Sequence, residues 1–169
     1  MSYVTSDTIW PTPALNDKIK QLIAMFYQLA DIQSSDAGPR MASEVFTEDA
    51  SMITPAGTFQ GSKNISSSRE NVWKGIASRE HRVAQVFTAD PEGVDVMLTG
   101  TLNLAKENGD VSLAPFACYF KFDESSVKNG DPRLTLARVY LVRQGPSLFV
   151  NIVSTLSGYI TPSLPDYSC

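Results

Sequence analysis

The spacing of apolar positions changes once along this chain, from a helical period in the first half to strand-like alternation in the second. Apolar residues recur every three or four positions over residues 15–30, which predicts a helix that Asn16 caps and that ends near Ile32. The same spacing predicts two shorter helices, over residues 39–46 and 61–78. The first half is therefore expected to be mainly helical.

Four runs with strand character follow, separated by short segments rich in Gly, Asp, Asn and Pro. They cover residues 80–88, 94–105, 111–123 and 134–144. Because the connections are short, the strands are expected to be consecutive antiparallel neighbours. Helices that precede an antiparallel sheet predict an α+β fold.

A distinctive segment lies between the second and third predicted helices. Residues 46–61 read FTEDASMITPAGTFQG. Two short strands, over residues 51–54 and 58–60, are predicted on either side of a Pro55-Ala56-Gly57 turn. The acids Glu48 and Asp49 precede the first of them, where an acid commonly caps a turn.

The length of 169 residues predicts one folded domain. We expect an N-terminal arm over residues 1–14, the domain over residues 15–144 and an apolar C-terminal extension over residues 145–169. The extension is interpreted as an element packed on the domain; a flap over a pocket mouth or a dimer contact are the alternatives.

Composition and charge narrow the function classes. The net charge is −4 and no run of Lys or Arg occurs, which argues against a nucleic-acid partner. The apolar runs are too short for membrane insertion, and the N-terminus lacks a secretory pattern. The cysteines, Cys118 and Cys169, fit a reducing, cytoplasmic location. With one histidine and two distant cysteines, no metal site is expected.

The order of these elements resembles the NTF2-like superfamily and, within it, the SnoaL-like group, especially its fungal members. The resemblance is carried by Phe26-Tyr27, by residues 46–61 and by the blocks at residues 79–83, 96–101 and 136–141. It implies a cone in which three N-terminal helices pack on a curved antiparallel sheet and enclose a pocket. Relatives include polyketide cyclases, ketosteroid isomerases, limonene epoxide hydrolases and scytalone dehydratase, while other members only bind or dimerise.

Four residues are candidates for catalysis. His81 is the only histidine, and imidazole is the side chain that titrates near neutral pH, so it is the expected general acid or base. The resemblance places Tyr27 where ketosteroid isomerases keep an oxyanion-binding tyrosine. Arg138 and Tyr140 share one face of the last strand and could orient a carboxylate or enolate. Each of the four could instead have a purely structural role.

Further residues are candidates for substrate binding. Thr54 occupies the position at which ketosteroid isomerases carry a carboxylate base, and a threonine cannot act as that base. Tyr119 and Phe116 lie on opposite faces of the third long strand, and parity alone does not decide which face lines the pocket. Phe59 and Trp73 are further aromatic candidates, although a place in the core is the favoured interpretation for both.

Two kinds of function follow. The first is a cofactor-independent cyclase, isomerase or dehydratase (lyase) that acts on a small hydrophobic, polyketide- or terpenoid-like intermediate of secondary metabolism by acid–base catalysis. The second is a non-catalytic protein with the same fold that binds a small ligand or serves as a scaffold. A homodimer is expected in either case, from the resemblance alone.

Overall fold

The computed structural model describes residues 2–90 and 92–141, and all structural statements concern these residues. Four α-helices, one π-helical turn, six strands and a short 3-10 turn at Tyr3–Thr5 are present there. In chain order the elements after that turn are α1 (Asp17–Asp31), α2 (Ala37–Arg40), the π-helical turn (Met41–Val45), β1 (Phe46–Thr54), β2 (Gly57–Gln60), α3 (Gly61–Ser67), β3 (Ile76–Thr88), β4 (Asp95–Lys106), β5 (Val111–Phe122), α4 (Glu124–Lys128) and β6 (Leu134–Leu141).

The six strands form one curved sheet in the order β2-β1-β6-β5-β4-β3. Strands β3 to β6 are consecutive antiparallel neighbours, as their short connections predicted. Strand β1 pairs with β2 in antiparallel orientation and with β6 in parallel orientation. The parallel pair joins the N-terminal segment to the last strand and makes one continuous sheet. The predicted α+β architecture is confirmed.

Helix α1 packs its apolar stripe against the inner, concave face of the sheet. The side chain of Asn16 accepts a hydrogen bond from the backbone N–H of Lys18, so the predicted cap is present. The helix ends at Asp31. On the sheet, β5 contributes a row of inward-facing residues at every second position, and these residues are fully buried: Phe116, Cys118, Phe120 and Phe122.

Several predicted element bounds were wrong. Helix α3 ends at Ser67 rather than near residue 78, and the chain turns from there to Gly75, which has a positive φ of 74°. Serine is a weak helix former whose hydroxyl competes for backbone groups, and Ser68 donates its hydroxyl to the Ile65 carbonyl at this end. Strand β1 begins at Phe46, five residues earlier than predicted, so Glu48 and Asp49 belong to the strand.

The free edge of β3 is covered by two segments from outside the sheet. The chain before α1 pairs with it at Ile9, whose N–H donates to Ala84 and whose carbonyl accepts from Val86. Near the middle of the strand, the N–H of His81 donates to the carboxylate of Asp31. Covering an edge in this way satisfies backbone groups that would otherwise be open to pairing.

The predicted C-terminal extension, residues 145–169, lies outside the described residues. No helix in the described part of the chain has the length and apolar content needed to cross a membrane.

Candidate active site

A cavity of about 200 Å³ lies between α1, the turn after α3 and the inner face of the sheet. Its wall is mostly apolar, with Met41, Met52, Leu102 and Val139 among the residues that form it. Five polar side chains also line it: Thr54, Ser68, Arg69, Arg79 and His81. An apolar pocket with a few convergent polar groups is the usual form of a small-molecule site.

The most distinctive feature of the cavity is that one residue of its wall, His81, is paired with a buried carboxylate, Asp31, which does not itself line the cavity. Nδ1 of His81 lies 2.5 Å from Oδ1 of Asp31, and the backbone N–H of His81 donates to Oδ2 of Asp31 at 2.7 Å. The two side chains are only 9% and 3% exposed. Helix α1 supplies the acid and strand β3 supplies the histidine, so the pair fixes the end of the helix to the sheet edge.

A third donor completes the surroundings of Asp31. The hydroxyl of Tyr3, from the segment before α1, donates to Oδ2 of Asp31 at 2.9 Å. The carboxylate therefore accepts two hydrogen bonds from His81 and one from Tyr3. Such bonds favour the ionised form of a carboxyl group.

The pKa shifts of the pair agree with a neutral imidazole beside an ionised acid. Burial lowers the pKa of His81 below 6.5, and nearby Arg79 and Arg69 lower it further, while Asp31 partly offsets the shift. For Asp31, burial is the largest single influence and raises the pKa. The bonds and charge of His81 and the bond from Tyr3 together outweigh it, so the pKa falls below 3.8.

These protonation states determine which ring nitrogen of His81 has a free lone pair. An ionised carboxylate can only accept, so Nδ1 of His81 carries the hydrogen in the bond to Asp31. The lone pair of the neutral ring then resides on Nε2, which has no hydrogen-bond partner among the described residues. A neutral imidazole with a free Nε2 lone pair is chemically able to accept a proton.

The ring of Tyr27 lines the cavity, whereas its hydroxyl is buried. The centroid of the Tyr27 ring lies 5.0 Å from that of the His81 imidazole and 5.2 Å from that of the Phe116 ring. The hydroxyl has no geometric hydrogen-bond partner in the described part of the protein and lies near Cys118. Burial raises the pKa of this phenol well above its ordinary value, so it remains protonated. Phe116 packs behind both rings and does not itself line the cavity.

Two of the predicted binding residues, Thr54 and Phe59, line the cavity. The Thr54 hydroxyl donates to the Gly57 carbonyl and accepts from the Ala56 N–H, so it serves the turn between β1 and β2. Phe59 is partly buried and packs against the core.

Four other candidates lie away from the cavity. Arg138 and Tyr140 are on the outer face of β6, where Tyr140 is 46% exposed, because Val139 and Leu141 face inward. Tyr119 is on the outer face of β5 and donates to Asp95. Trp73 lines a different surface groove, since the helix expected to carry it ends before it.

Asp31, Arg69 and Arg79 were not among the candidates predicted from the sequence. Asp31 follows Tyr27 by four residues, so the two share one face of α1. Arg79 precedes His81 by two residues in a strand and shares its face. The position expected for Tyr27 in a pocket could thus have suggested Asp31, and the position of His81 could have suggested Arg79.

Within the described residues, no group of three or more His, Cys, Asp or Glu side chains is arranged to hold a metal ion.

Comparisons with known proteins identify the fold. No protein-family profile matches the sequence, and no curated protein is similar to it. Among solved structures, a hexachlorocyclohexane dehydrochlorinase superposes with a TM-score of 0.58 at 16% identity, covering 79% of this chain and 90% of its own. A protein from Agrobacterium tumefaciens assigned as an isomerase of the SnoaL-like family gives 0.57 at 12% identity, with coverages of 76% and 100%.

A third structure, assigned as a SnoaL-like polyketide cyclase from Jannaschia sp., superposes with a TM-score of 0.54 at 13% identity, covering 86% of this chain and 93% of its own. The chain therefore has the NTF2-like cone fold, and SnoaL-like proteins are among the structures that share it. Identities this low establish the fold, while the chemistry has to be argued from the cavity itself.

Proposed function

We propose that this protein is a cofactor-independent enzyme that moves a proton within a small hydrophobic substrate. The observation that supports the proposal is that His81 lines an apolar cavity and is bonded to the buried Asp31, with Nδ1 and Oδ1 2.5 Å apart. A histidine fixed in one tautomer by a buried carboxylate is a common arrangement for general-base catalysis.

The reaction would begin with Nε2 of His81 taking a proton from a carbon next to a carbonyl group. The electron pair of the C–H bond moves into the carbonyl and forms an enolate, while the imidazole becomes an imidazolium. The Asp31 carboxylate stabilises that new positive charge across the Nδ1 hydrogen bond. Tyr3 holds the other carboxylate oxygen and so acts as a positioning residue.

Three outcomes are open to the enolate, and each needs only the proton held by His81. Return of that proton to a different carbon gives an isomerisation. Loss of a leaving group from the neighbouring carbon gives an elimination, in which the imidazolium protonates the departing oxygen. Attack on a second carbonyl closes a ring, and the proton goes to the new alkoxide. These correspond to isomerase, dehydratase and cyclase activity.

The wall of the cavity and the fold support a proposed substrate class. Met41, Met52 and Leu102 offer apolar surface suited to a polyketide- or terpenoid-like carbon skeleton. Structures that share the fold include proteins assigned as an isomerase and a polyketide cyclase, and a dehydrochlorinase. We also propose a homodimer, which the exposed apolar residues on the outer face of the sheet support.

Exchange of carbon-bound hydrogen tests the proton transfer without knowledge of the natural substrate. The purified full-length protein is incubated in D₂O with 2-tetralone, a small bicyclic ketone with acidic α-hydrogens, and deuterium incorporation is followed by NMR. We expect exchange well above the buffer rate. His81→Gln is expected to lower the enzymatic rate by about 100-fold or more, the usual contribution of a general base. Asp31→Asn should lower it in the same direction.

A matched control lies one position away on the outer face. Glu80 is an exposed carboxylate that pairs with Arg82, so Glu80→Gln should leave the exchange rate unchanged. Wild-type protein that exchanges no faster than buffer, or a His81→Gln variant that exchanges as fast as wild type, would contradict the proposal. A ketone that stabilises the protein against heat without exchanging would favour the ligand-binding alternative.

A further inference from the structure

Two arginines share the cavity wall with His81. Arg69 lies in the turn after α3, and Arg79 lies on β3 two residues before His81, so both reach the same space from different elements. Both are partly buried. The wall of a mostly apolar cavity therefore carries two guanidinium groups.

Neither guanidinium has a carboxylate partner in the described part of the protein. Arg69 donates one hydrogen bond to the backbone carbonyl of Ala30, and the Nε atoms of Arg69 and Arg79 are buried with no partner. The ion pairs formed by other arginines involve Arg40, Arg82 and Arg133, which are all outside the cavity wall. The oxygens of Asp31 already accept from His81 and Tyr3.

The cavity consequently has an excess of positive charge. Burial and the neighbouring Arg79 lower the pKa of Arg69 to about 10, and burial lowers the pKa of Arg79. Guanidinium groups nevertheless stay protonated at neutral pH in proteins. Two positive charges thus face the single negative charge of Asp31. A buried charge without a partner is destabilising, and a bound anion would remove that cost.

We infer that the ligand of this cavity is an apolar molecule that carries a carboxylate, which Arg69 and Arg79 bind beside His81. The inference rests on the proposed function, because it assigns a substrate class to the same site. Guanidinium groups match the two oxygens of a carboxylate in geometry and charge. A carboxylate held there would place the carbon skeleton against the apolar wall and within the reach of Nε2.

A pair of probes with the same shape and different charge tests the inference. Binding of 2-naphthoate and of its neutral counterpart 2-naphthamide to the full-length protein is measured by isothermal titration calorimetry at neutral pH. We expect the acid to bind at least about tenfold more tightly than the amide, the ratio that a hydrogen bond to a charged group usually provides.

Variants assign the preference to the two arginines. Arg69→Met and Arg79→Met keep much of the aliphatic volume and remove the charge, so each should reduce the preference for the acid. Replacing both should abolish it. Arg79→Lys retains a positive charge and should retain part of the preference, and it also covers the case in which the Met variants do not fold. Arg82→Met is the matched control, since Arg82 lies on the same strand but is exposed on the outer face.

Equal affinity for the acid and the amide, failure of the acid to bind wild type, or an unchanged preference in the double Met variant would overturn the inference. Its failure is distinguishable from failure of the proposed function. Exchange of 2-tetralone that depends on His81 would uphold the enzyme proposal even if naphthoate did not bind. Binding of naphthoate without exchange of any ketone would uphold the carboxylate site alone.

Discussion

The two faces of the sheet carry side chains of similar type that have very different surroundings. On β5 the inward-facing Phe120 is fully buried among aromatic rings, whereas its neighbour Tyr119 faces outward and bonds to Asp95. On β6 the outward-facing Arg138 and Tyr140 alternate with inward-facing Val139. Aromatic and charged residues thus occur on both faces, and position in the strand decides which of them reach the cavity.

Strand β3 shows how a local irregularity changes that alternation. His81 and Val83 face inward at odd positions, while Arg82 between them is exposed. The register shifts between Val83 and Gln85, and the next buried residue is Val86, at an even position. A bulge of this kind moves a strand by one residue relative to its partner. The face on which one residue of β3 lies therefore does not predict the face of the residues beyond the bulge.

The largest effect is expected from truncating an aromatic side chain on the inner face. Phe120 packs with its ring centroid 5.0 Å from that of Phe26 and is fully buried. Phe120→Ala should lower the free energy of unfolding by about 3–5 kcal/mol, because it removes buried apolar surface and leaves a cavity. Urea denaturation followed by far-UV circular dichroism measures the change.

Tyr119→Ala on the adjacent outward position is the matched control. It removes a partly exposed ring and one hydrogen bond to Asp95, so a loss of about 1 kcal/mol is expected. Equal losses for Phe120→Ala and Tyr119→Ala would show that both faces are buried in solution, and would contradict the difference described between them.

A smaller effect is expected from the titration of the buried histidine. His81 has a lowered pKa in the folded protein, while in the unfolded chain it titrates near 6.5. The unfolded chain therefore binds the proton first as the pH falls. The free energy of unfolding should decrease below pH 6.5, by at most about 1.4 kcal/mol per pH unit, until the folded pKa is reached. Urea denaturation between pH 5 and 7 measures the slope.

Because His81 is the only histidine in the sequence, a mutation at this position tests whether it causes the pH dependence of stability. His81→Gln should reduce the change of the free energy of unfolding with pH in that range. Arg82→Met on the outer face should leave this change unaltered. An unchanged slope in His81→Gln would mean that another group is responsible and that the imidazole is not held neutral by burial.

The sequence predicted most of the fold because its main signals are local. The cap at Asn16, the period of α1 and the alternation of β4 all lie within a few residues of the structure that they specify. The parallel pairing of β1 with β6 joins segments more than 80 residues apart and leaves no local pattern. The early end of α3 was missed because Val72 and Trp73 continue an apparent helical spacing through a region of turns.

The candidate site was predicted less completely for the same reason. His81 was identified because imidazole chemistry is intrinsic to the residue, whereas its partner Asp31 is 50 positions away and reads as an ordinary acid near a helix end. Arg138 was selected for its position on a strand that also bears apolar residues. Which side chains of β6 face the cavity depends on how this strand pairs with β1 and β5. That pairing turns Arg138 away from the cavity.

The smallest effect on the stability of the protomer is expected from a charge on the outer face, where the proposed homodimer would form. Met97 is 41% exposed on this face, beside Phe87 and Tyr119 on the neighbouring strands. Met97→Lys should change the free energy of unfolding of the protomer by less than about 0.5 kcal/mol, as exposed substitutions usually do. Because a lysine ammonium is costly to bury in an interface, the same change should shift the mass measured by light scattering from dimer to monomer.

Asn108→Lys, in the exposed turn between β4 and β5, introduces the same charge away from this face and should leave the mass unchanged. A monomeric wild type, or a Met97→Lys variant that remains dimeric, would contradict the assignment of this face as the interface.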